Sequence, residues 1–194
     1  IKKHMEAYEK RFKNRGHVDF RFISPNSLCY GSKDGRRSNP NAIEELLKTS
    51  KSFNNSRSFF CTFPSESRPE NFNEEVAGII SEYCSNKIVA IGAQSGSSRI
   101  LKLMNRGHTI EDVYSAVDSA INYGLGVSVD FLLGFPSEMG EDQYKTYEAI
   151  KLLLKKGEVK ARMHYIMPLA GTPLDQSKPA PLDKEVLRDL HNLG

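Results

Sequence analysis

The sequence predicts an α/β fold, a partial TIM-like (β/α) barrel with parallel strands, on three observations. Short apolar, β-branched runs alternate with stretches of helical period along most of the chain. The five runs recur roughly every 30 to 40 residues, the spacing of βα units whose parallel strands are joined by right-handed crossovers. The chain also opens on a helical pattern and has 194 residues, whereas a complete barrel needs eight strands and about 250 residues.

The elements follow in order. The first helix covers 8–13, ending at Lys13. In a βα series such a helix follows a strand, which here would lie upstream of Ile1, and the sequence begins with Ile rather than Met. The expectation is a barrel whose first strand and first loop precede residue 1. Strands are expected at 18–24, 57–63, 87–92, 126–134 and 160–167. Asn39 before Pro40 is an N-cap followed by the favoured first-turn proline. Asn73 or Asn71 caps the next helix. Thr109 and Asp112 resemble a capping box that opens a stripe of Val113, Ala116, Val117 and Ala120. Gly124 is placed as a helix stop. Tyr144, Tyr147, Ile150 and Leu154 share one face of the following helix and are expected in the core, with Gly157 ending it. One domain is expected over 1–194, with a linker and helix over about 175–194.

Composition narrows the function classes. With 39% hydrophobic and 26% charged residues, 14 glycines and 9 prolines, the chain is neither disordered nor collagen-like. At this size a chain buries roughly 70% of its unfolded surface without disulfides. The 27 basic and 24 acidic residues leave a net charge of +3, too balanced to announce a nucleic-acid or membrane partner. The longest apolar runs are too short to span a bilayer. Cys29, Cys61 and Cys84 are odd in number and far apart, which argues for a reducing, cytoplasmic setting and for free thiols.

In parallel βα architectures ligands sit at the carboxyl ends of the strands. That rule selects Ser24, Pro25, Asn26 and Ser27; then Pro64, Ser65, Glu66 and Arg68; then Gln94, Ser95 and Ser97. Pro136, Ser137 and Glu138 follow, and finally Pro168, Gly171 and Thr172. This rim is rich in hydroxyls, amides and glycines and poor in histidine, and it suits a polar cofactor better than acid–base hydrolysis. Asp130 stands inside an otherwise apolar strand, where an unpaired carboxylate is costly to bury. It either meets a partner such as Arg162 or His164 on the next strand or lines a wet barrel centre, and both readings can hold together. The segment from Gly92 to Thr109 reads as a strand end, a turn whose Gln and Ser side chains point at the strand mouth, and a helix start with free N–H groups.

QSGSSRILKLMNRGHT, then VDFLLGFPSE and HYIMPLAGTPL in this order, resembles the radical S-adenosylmethionine enzymes, closest to the methylthiotransferase type and its cobalamin-linked relatives. The resemblance covers roughly 18–174. It implies that Gln94 and Ser95 approach the ribose or methionyl part of S-adenosylmethionine, and that the strand carrying Asp130 and Gly134 passes beneath the adenosyl group. It places the backbone of Met167 and Leu169 against the adenine. Glu66 and Arg68 stand ready for the cofactor carboxylate or substrate. Ser24 and Asn26 stand at the turn that in these enzymes holds the amino group, and Arg106 and His108 are read as structural or on the rim.

The resemblance further implies a [4Fe-4S] cluster, whose thiolate ligands are three cysteines of a CxxxCxxC loop. No CxxxCxxC occurs in this sequence, and no metal ligand is assigned. The loop is expected upstream, with the first strand and, in a cobalamin-linked enzyme, a corrinoid domain. Full-length protein would then cleave S-adenosylmethionine to a 5′-deoxyadenosyl radical, and the present chain alone would be silent. The substrate is a small molecule or a tRNA. Two other readings are a phosphate-binding barrel of aldolase or isomerase type, which would need a lysine or an acid–base pair at a strand end, and an RNA-binding module resting on the basic clusters at 33–37 and 155–160.

Overall fold

The computed structural model describes residues 1–12, 14 and 16–193. Five strands and seven α-helices follow one another along these residues, each strand set between helices. They are α1 (Lys2–Phe12), β1 (Val18–Arg21), α2 (Pro40–Lys51), β2 (Ser56–Phe59), α3 (Glu74–Tyr83), β3 (Ile88–Gln94), α4 (Ser98–Leu103), α5 (Ile110–Asn122), β4 (Gly126–Leu133), α6 (Gly140–Leu153), β5 (Val159–Tyr165) and α7 (Lys184–His191). All strand pairs are parallel, in the orders β1-β2 and β3-β4-β5. The expected α/β class and all five strands are present, and the expected helix end at Lys13 lies outside the described residues.

The two sheets are stitched rather than laddered together. Cys61 accepts a hydrogen bond from Ala90 N, while Ser67 N donates to Ala90 O and Ser67 O accepts from Gly92 N. The segment 61–67 therefore stands in for a ladder between β2 and β3 near their carboxyl ends, and it carries Glu66 into the mouth.

Strand parity separates dry and wet faces. Val89, Ile91 and Ala93 of β3, and Val127, Val129, Phe131 and Leu133 of β4, pack with Val76, Ile80, Val113, Val117, Ile150 and Leu153 in one core. The opposite face presents Gly92, Ser128, Asp130, Lys160 and Arg162, as the β3–β4–β5 register requires, and Gln94, paired with Phe131 after a register shift, turns its side chain back over Gly92. This inner wall is polar, and on it Asp130 is buried against Arg162, the partner expected on the next strand.

Helix ends explain the local starts. Asn39 Oδ1 accepts from Ala42 N, and Asn73 rather than Asn71 accepts from Val76 N. The Thr109–Asp112 box closes in both directions, with Thr109 N donating to Asp112 Oδ2 at 2.7 Å and Asp112 N to Thr109 Oγ1 at 3.3 Å. Gly124 follows α5 at φ +72°, as a helix stop requires. One expectation is corrected on α6. Tyr144 is 51% exposed, and the buried face is formed by Asp142, Gln143, Thr146, Ala149, Ile150 and Leu153. A polar cluster under the loops, rather than an aromatic stripe, decides which side of α6 is inside.

Among the described residues no helix is long and apolar enough to cross a membrane.

Candidate functional site

The site is built around the end of β3. Its ladder to β4 shifts register between Gly92 and Gln94, and Gln94 takes a positive φ of +67°. Such a φ is costly for a residue with a Cβ and concentrates where a side chain must be re-aimed. The consequence is visible at Gly92. A Cβ placed there would lie 2.7 Å from Gln94 Nε2 and 3.6 Å from both Arg106 Nη2 and Glu66 Oε2. Three chemistry-bearing side chains from three segments thus converge over one glycine.

Asp130 is paired with Gly92 across the ladder and with Arg162 on the other side. Arg162 Nε donates to Asp130 Oδ1 at 2.6 Å and Nη2 to Oδ2 at 2.7 Å, a fork-on-fork pair with the carboxylate almost fully buried. Arg162 also stands 5.4 Å from the centre of the Phe63 ring. Glu66 lies against the same carboxylate. Burial first, and then the neighbouring Asp130, push the Glu66 carboxyl above its usual range.

Arg106, expected from the sequence to be structural or on the rim, reaches the mouth. Its Nη2 donates to Gly92 O at 3.3 Å, and its buried Nε has no partner among the described residues. Burial pushes this guanidinium down, with repulsion from Arg68 next. A half-buried arginine with spare donors is a ready seat for a carboxylate. The signal missed is geometric, because the chain doubles back after α4, where Arg106 N bonds Leu101 O.

The other sequence-selected residues divide. Ser95 does not face the mouth. It is fully buried, its Oγ accepts from Ser97 N and lies 3.3 Å from Thr146 Oγ1 of α6. Gly96 N donates to Thr146 Oγ1, Ser97 Oγ donates to Asp142 Oδ1, and Arg99 pairs with Asp142. The QSGS serines therefore lock β3 to α6, and the N–H groups expected to be free for an anion at 96 and 97 are taken. Gly96 is required for close approach, since a Cβ would fall 2.4 Å from Lys145 O. Gly134, at φ +81°, is packed under Tyr165, whose ring would lie 2.4 Å from an added Cβ. Its N–H donates to Glu138 at 2.6 Å, which ties the GFPSE turn shut.

Arg68 turns back to Glu70 at 3.4 Å. Ser24 is tied by its backbone to Ser65, donating to Ser65 Oγ and accepting from it. Asn26 donates to Cys29 Sγ at 3.0 Å, and its buried Oδ1 has no partner among the described residues. Both line a separate cavity of about 370 Å³ beside the edge of β1. Met167 and Leu169, 76% and 64% exposed, line an apolar groove of about 470 Å³ with Phe135, Ile166 and Leu174. A larger cavity of about 540 Å³ between α1 and β1 holds none of Glu66, Gln94 or Asp130.

A polar cofactor fits this rim better than a metal does. The amide of Gln94, the carboxylates of Glu66 and Asp130 and the spare donors of Arg106 supply partners for hydroxyl, ammonium and carboxylate groups, with the apolar groove nearby. No group of three or more His, Cys, Asp or Glu side chains able to hold a metal occurs among the described residues. Burial pushes the Cys61 and Cys84 thiols up to about 12, away from the thiolate that an iron–sulfur ligand requires. The residues present do not fit a cluster.

Comparison with known proteins places the chain in a family. The radical SAM superfamily profile matches residues 5–150. The tRNA-2-methylthio-N(6)-dimethylallyladenosine synthase of Fervidobacterium nodosum is 33% identical over 147 residues, covering 72% of this chain and 32% of that protein. The probable threonylcarbamoyladenosine tRNA methylthiotransferase of Archaeoglobus fulgidus is 29% identical, over 70% of this chain and 32% of its own. The chain thus spans about a third of the length of these relatives. Among solved structures, a radical S-adenosylmethionine methyltransferase from Kitasatospora setae, with cobalamin and a [4Fe-4S] cluster bound, superimposes with a TM-score of 0.64 at 17% identity, over 86% of this chain and 29% of that one. Coproporphyrinogen III oxidase of Escherichia coli gives 0.62 at 15% identity, over 99% and 45%.

Proposed function

The chain belongs to the radical SAM superfamily and is related to its methylthiotransferases, and we propose that its strand mouth is the S-adenosylmethionine-holding part of such an enzyme. The observation that carries this reading is the convergence of Gln94, Glu66 and Arg106 over Gly92, beside Asp130. S-adenosylmethionine held there, given one electron by a reduced [4Fe-4S] cluster and releasing methionine, would supply the radical chemistry of hydrogen abstraction from a substrate.

The chain's own residues bind and orient. Gln94, re-aimed by its bulge, and Asp130, fixed by Arg162, offer an acceptor-rich wall to ribose hydroxyls. Arg106 offers its spare donors to the methionyl carboxylate, and Glu66 offers an oxygen to the ammonium. The groove at Phe135, Met167 and Leu169 gives the adenine an apolar face and excludes water. Arg68, Ser24 and Asn26 keep a place at the margin of the site, whereas Ser95 and Gly134 act by holding the strands that carry it.

The cluster ligands are assigned to a CxxxCxxC segment outside this sequence, and in a cobalamin-linked enzyme a corrinoid domain would lie outside it too. Among substrates, a tRNA is favoured over a small molecule. The names of the two relatives support it, and so do Lys33, Arg36 and Arg37, exposed on the loop after β1 at the same end of the sheet as the mouth. The test is anaerobic reconstitution of the full-length polypeptide with iron and sulfide. Reductive formation of 5′-deoxyadenosine from S-adenosylmethionine supports the proposal, and its absence in cluster-loaded protein overturns it.

A further inference from the structure

Behind the mouth lies a pair, a buried histidine and a half-buried glutamate, that the proposed function does not use. The His108 side chain is fully buried, and its Nε2 is 2.9 Å from the carbonyl oxygen of Ala93, inside the Gly92–Gln94 bulge. A carbonyl only accepts, so Nε2 carries the hydrogen. In the neutral ring Nδ1 is then a bare acceptor, and it faces Glu70 Oε2 at 3.6 Å. Neither atom has a hydrogen-bond partner among the described residues. Two acceptors facing each other in a buried space repel unless one proton lies between them.

The surroundings set the charge of the ring. Glu70 comes from the turn at Pro69–Asn71, and its Oε1 accepts from Arg68. Arg106 adds positive charge from the same loop as His108, Asp112 adds negative charge from α5, and the Ala93 carbonyl faces the ring from β3. Burial is the largest influence and pushes the imidazole below its ordinary value near 6.5, against the pull of the Ala93 carbonyl. At neutral pH the ring is therefore neutral and held in one tautomer by β3.

We propose that His108 and Glu70 are positioning residues for the mouth: the imidazole fixes the Ala93 carbonyl, and with it the bulge that aims Gln94 inward, and the Glu70 carboxylate facing the other ring nitrogen makes that hold sensitive to the charge of the ring. The inference rests on reading the mouth as an S-adenosylmethionine site, but its first readout does not need the cofactor.

The experiment follows ring-labelled histidine and the Gln94 backbone amide by NMR in the whole protein, then measures S-adenosylmethionine affinity against pH. His108 should show the Nε2–H tautomer at pH 8 and titrate below about 6.5, with the Gln94 amide moving at the same midpoint. Glu70→Gln removes the carboxylate beside Nδ1 and places an amide donor there, so it should move the His108 midpoint to lower pH, with the Gln94 amide following it. His108→Leu should weaken binding about tenfold, and His108→Gln, which keeps an N–H toward Ala93, should restore most of it. A Gln94 amide blind to the His108 titration overturns the proposal, as does unchanged affinity in a folded His108→Leu protein. If His108→Leu does not fold, the Glu70→Gln titration decides. If the wild type shows the coupled titration but no S-adenosylmethionine binding, the reading of the mouth fails while the coupling of His108 to the bulge stands.

Discussion

Asp130 and Arg162 face each other across the β4–β5 register, with the guanidinium closing both carboxylate oxygens at 2.6 and 2.7 Å. The pair turns a buried charge from a liability into a fixed wall of the mouth. Removing Arg162 leaves that carboxylate unpaired, which in buried pairs costs about 3 kcal/mol or more. Arg162 is partly exposed, so Arg162→Leu is expected to cost roughly 2 kcal/mol in chemical denaturation. Adding Asp130→Asn should recover part of the loss, and equal stability of wild type and Arg162→Leu would show the pair to be idle.

Glu66 is held in the mouth at a cost in stability. Its folded-state value is raised, so the unfolded chain ionises more readily, and stability falls as pH rises from the ordinary glutamate value of 4.5 through the folded value. Glu66→Gln should therefore raise the Tm at pH 7, with the gain vanishing below about pH 4.5. The same substitution should weaken S-adenosylmethionine binding. A Glu66→Gln protein with a lower Tm at pH 7 would contradict the environment described for this carboxylate.

Asp142 has the opposite sign. Burial alone would raise it, but hydrogen bonds from Arg99, from Ser97 and from Met139 N–H outweigh burial and hold it at about 2. Its contribution is present above the ordinary aspartate value of 3.8 and is lost as pH falls from there toward about 2. Asp142→Asn should lower the Tm at pH 7 and converge with wild type near pH 2. A difference that persists undiminished at that pH would assign the effect to packing instead.

Gly96→Ala tests the seam between β3 and α6. The new methyl would meet Lys145 O at 2.4 Å and Thr146 Cα at 2.8 Å, both backbone atoms that cannot swing away. Forcing a methyl into such packing costs about 1–3 kcal/mol, read as a fall in Tm. Gly124→Ala has nothing within 4 Å of the new methyl, so its loss would come from the positive φ alone. A Gly96→Ala protein as stable as wild type would remove the close approach as the reason for this glycine.

The strands were legible because β-branched runs with turn residues between them leave few alternatives, and Asp130 was legible because a carboxylate in VSVDFLLGF must be answered. Arg162, named in advance as a partner, answers it. The direction of Ser95 was not legible. Alternation places it opposite Gln94, but the bulge at Gly92–Gln94 resets where each side chain points, and no residue type announces that bulge. Arg106 was missed for a related reason: its place depends on a chain reversal after the six residues of α4, not on spacing. Tyr144 was misjudged because the polar cluster of Asp142, Gln143 and Thr146, satisfied by Ser97, Arg99 and Pro181 O, takes the buried side of α6 that hydrophobicity assigned to aromatics.

The most direct test is isothermal titration of S-adenosylmethionine into the anaerobically purified full-length protein and into Gln94→Ala, Arg106→Leu and Lys87→Ala variants, with Lys87 exposed at the far end of β3. Gln94→Ala and Arg106→Leu should each weaken binding about tenfold or more, the loss of hydrogen bonds to a charged or buried partner, while Lys87→Ala binds as wild type. Wild-type affinity in both mouth variants would contradict the reading of the mouth.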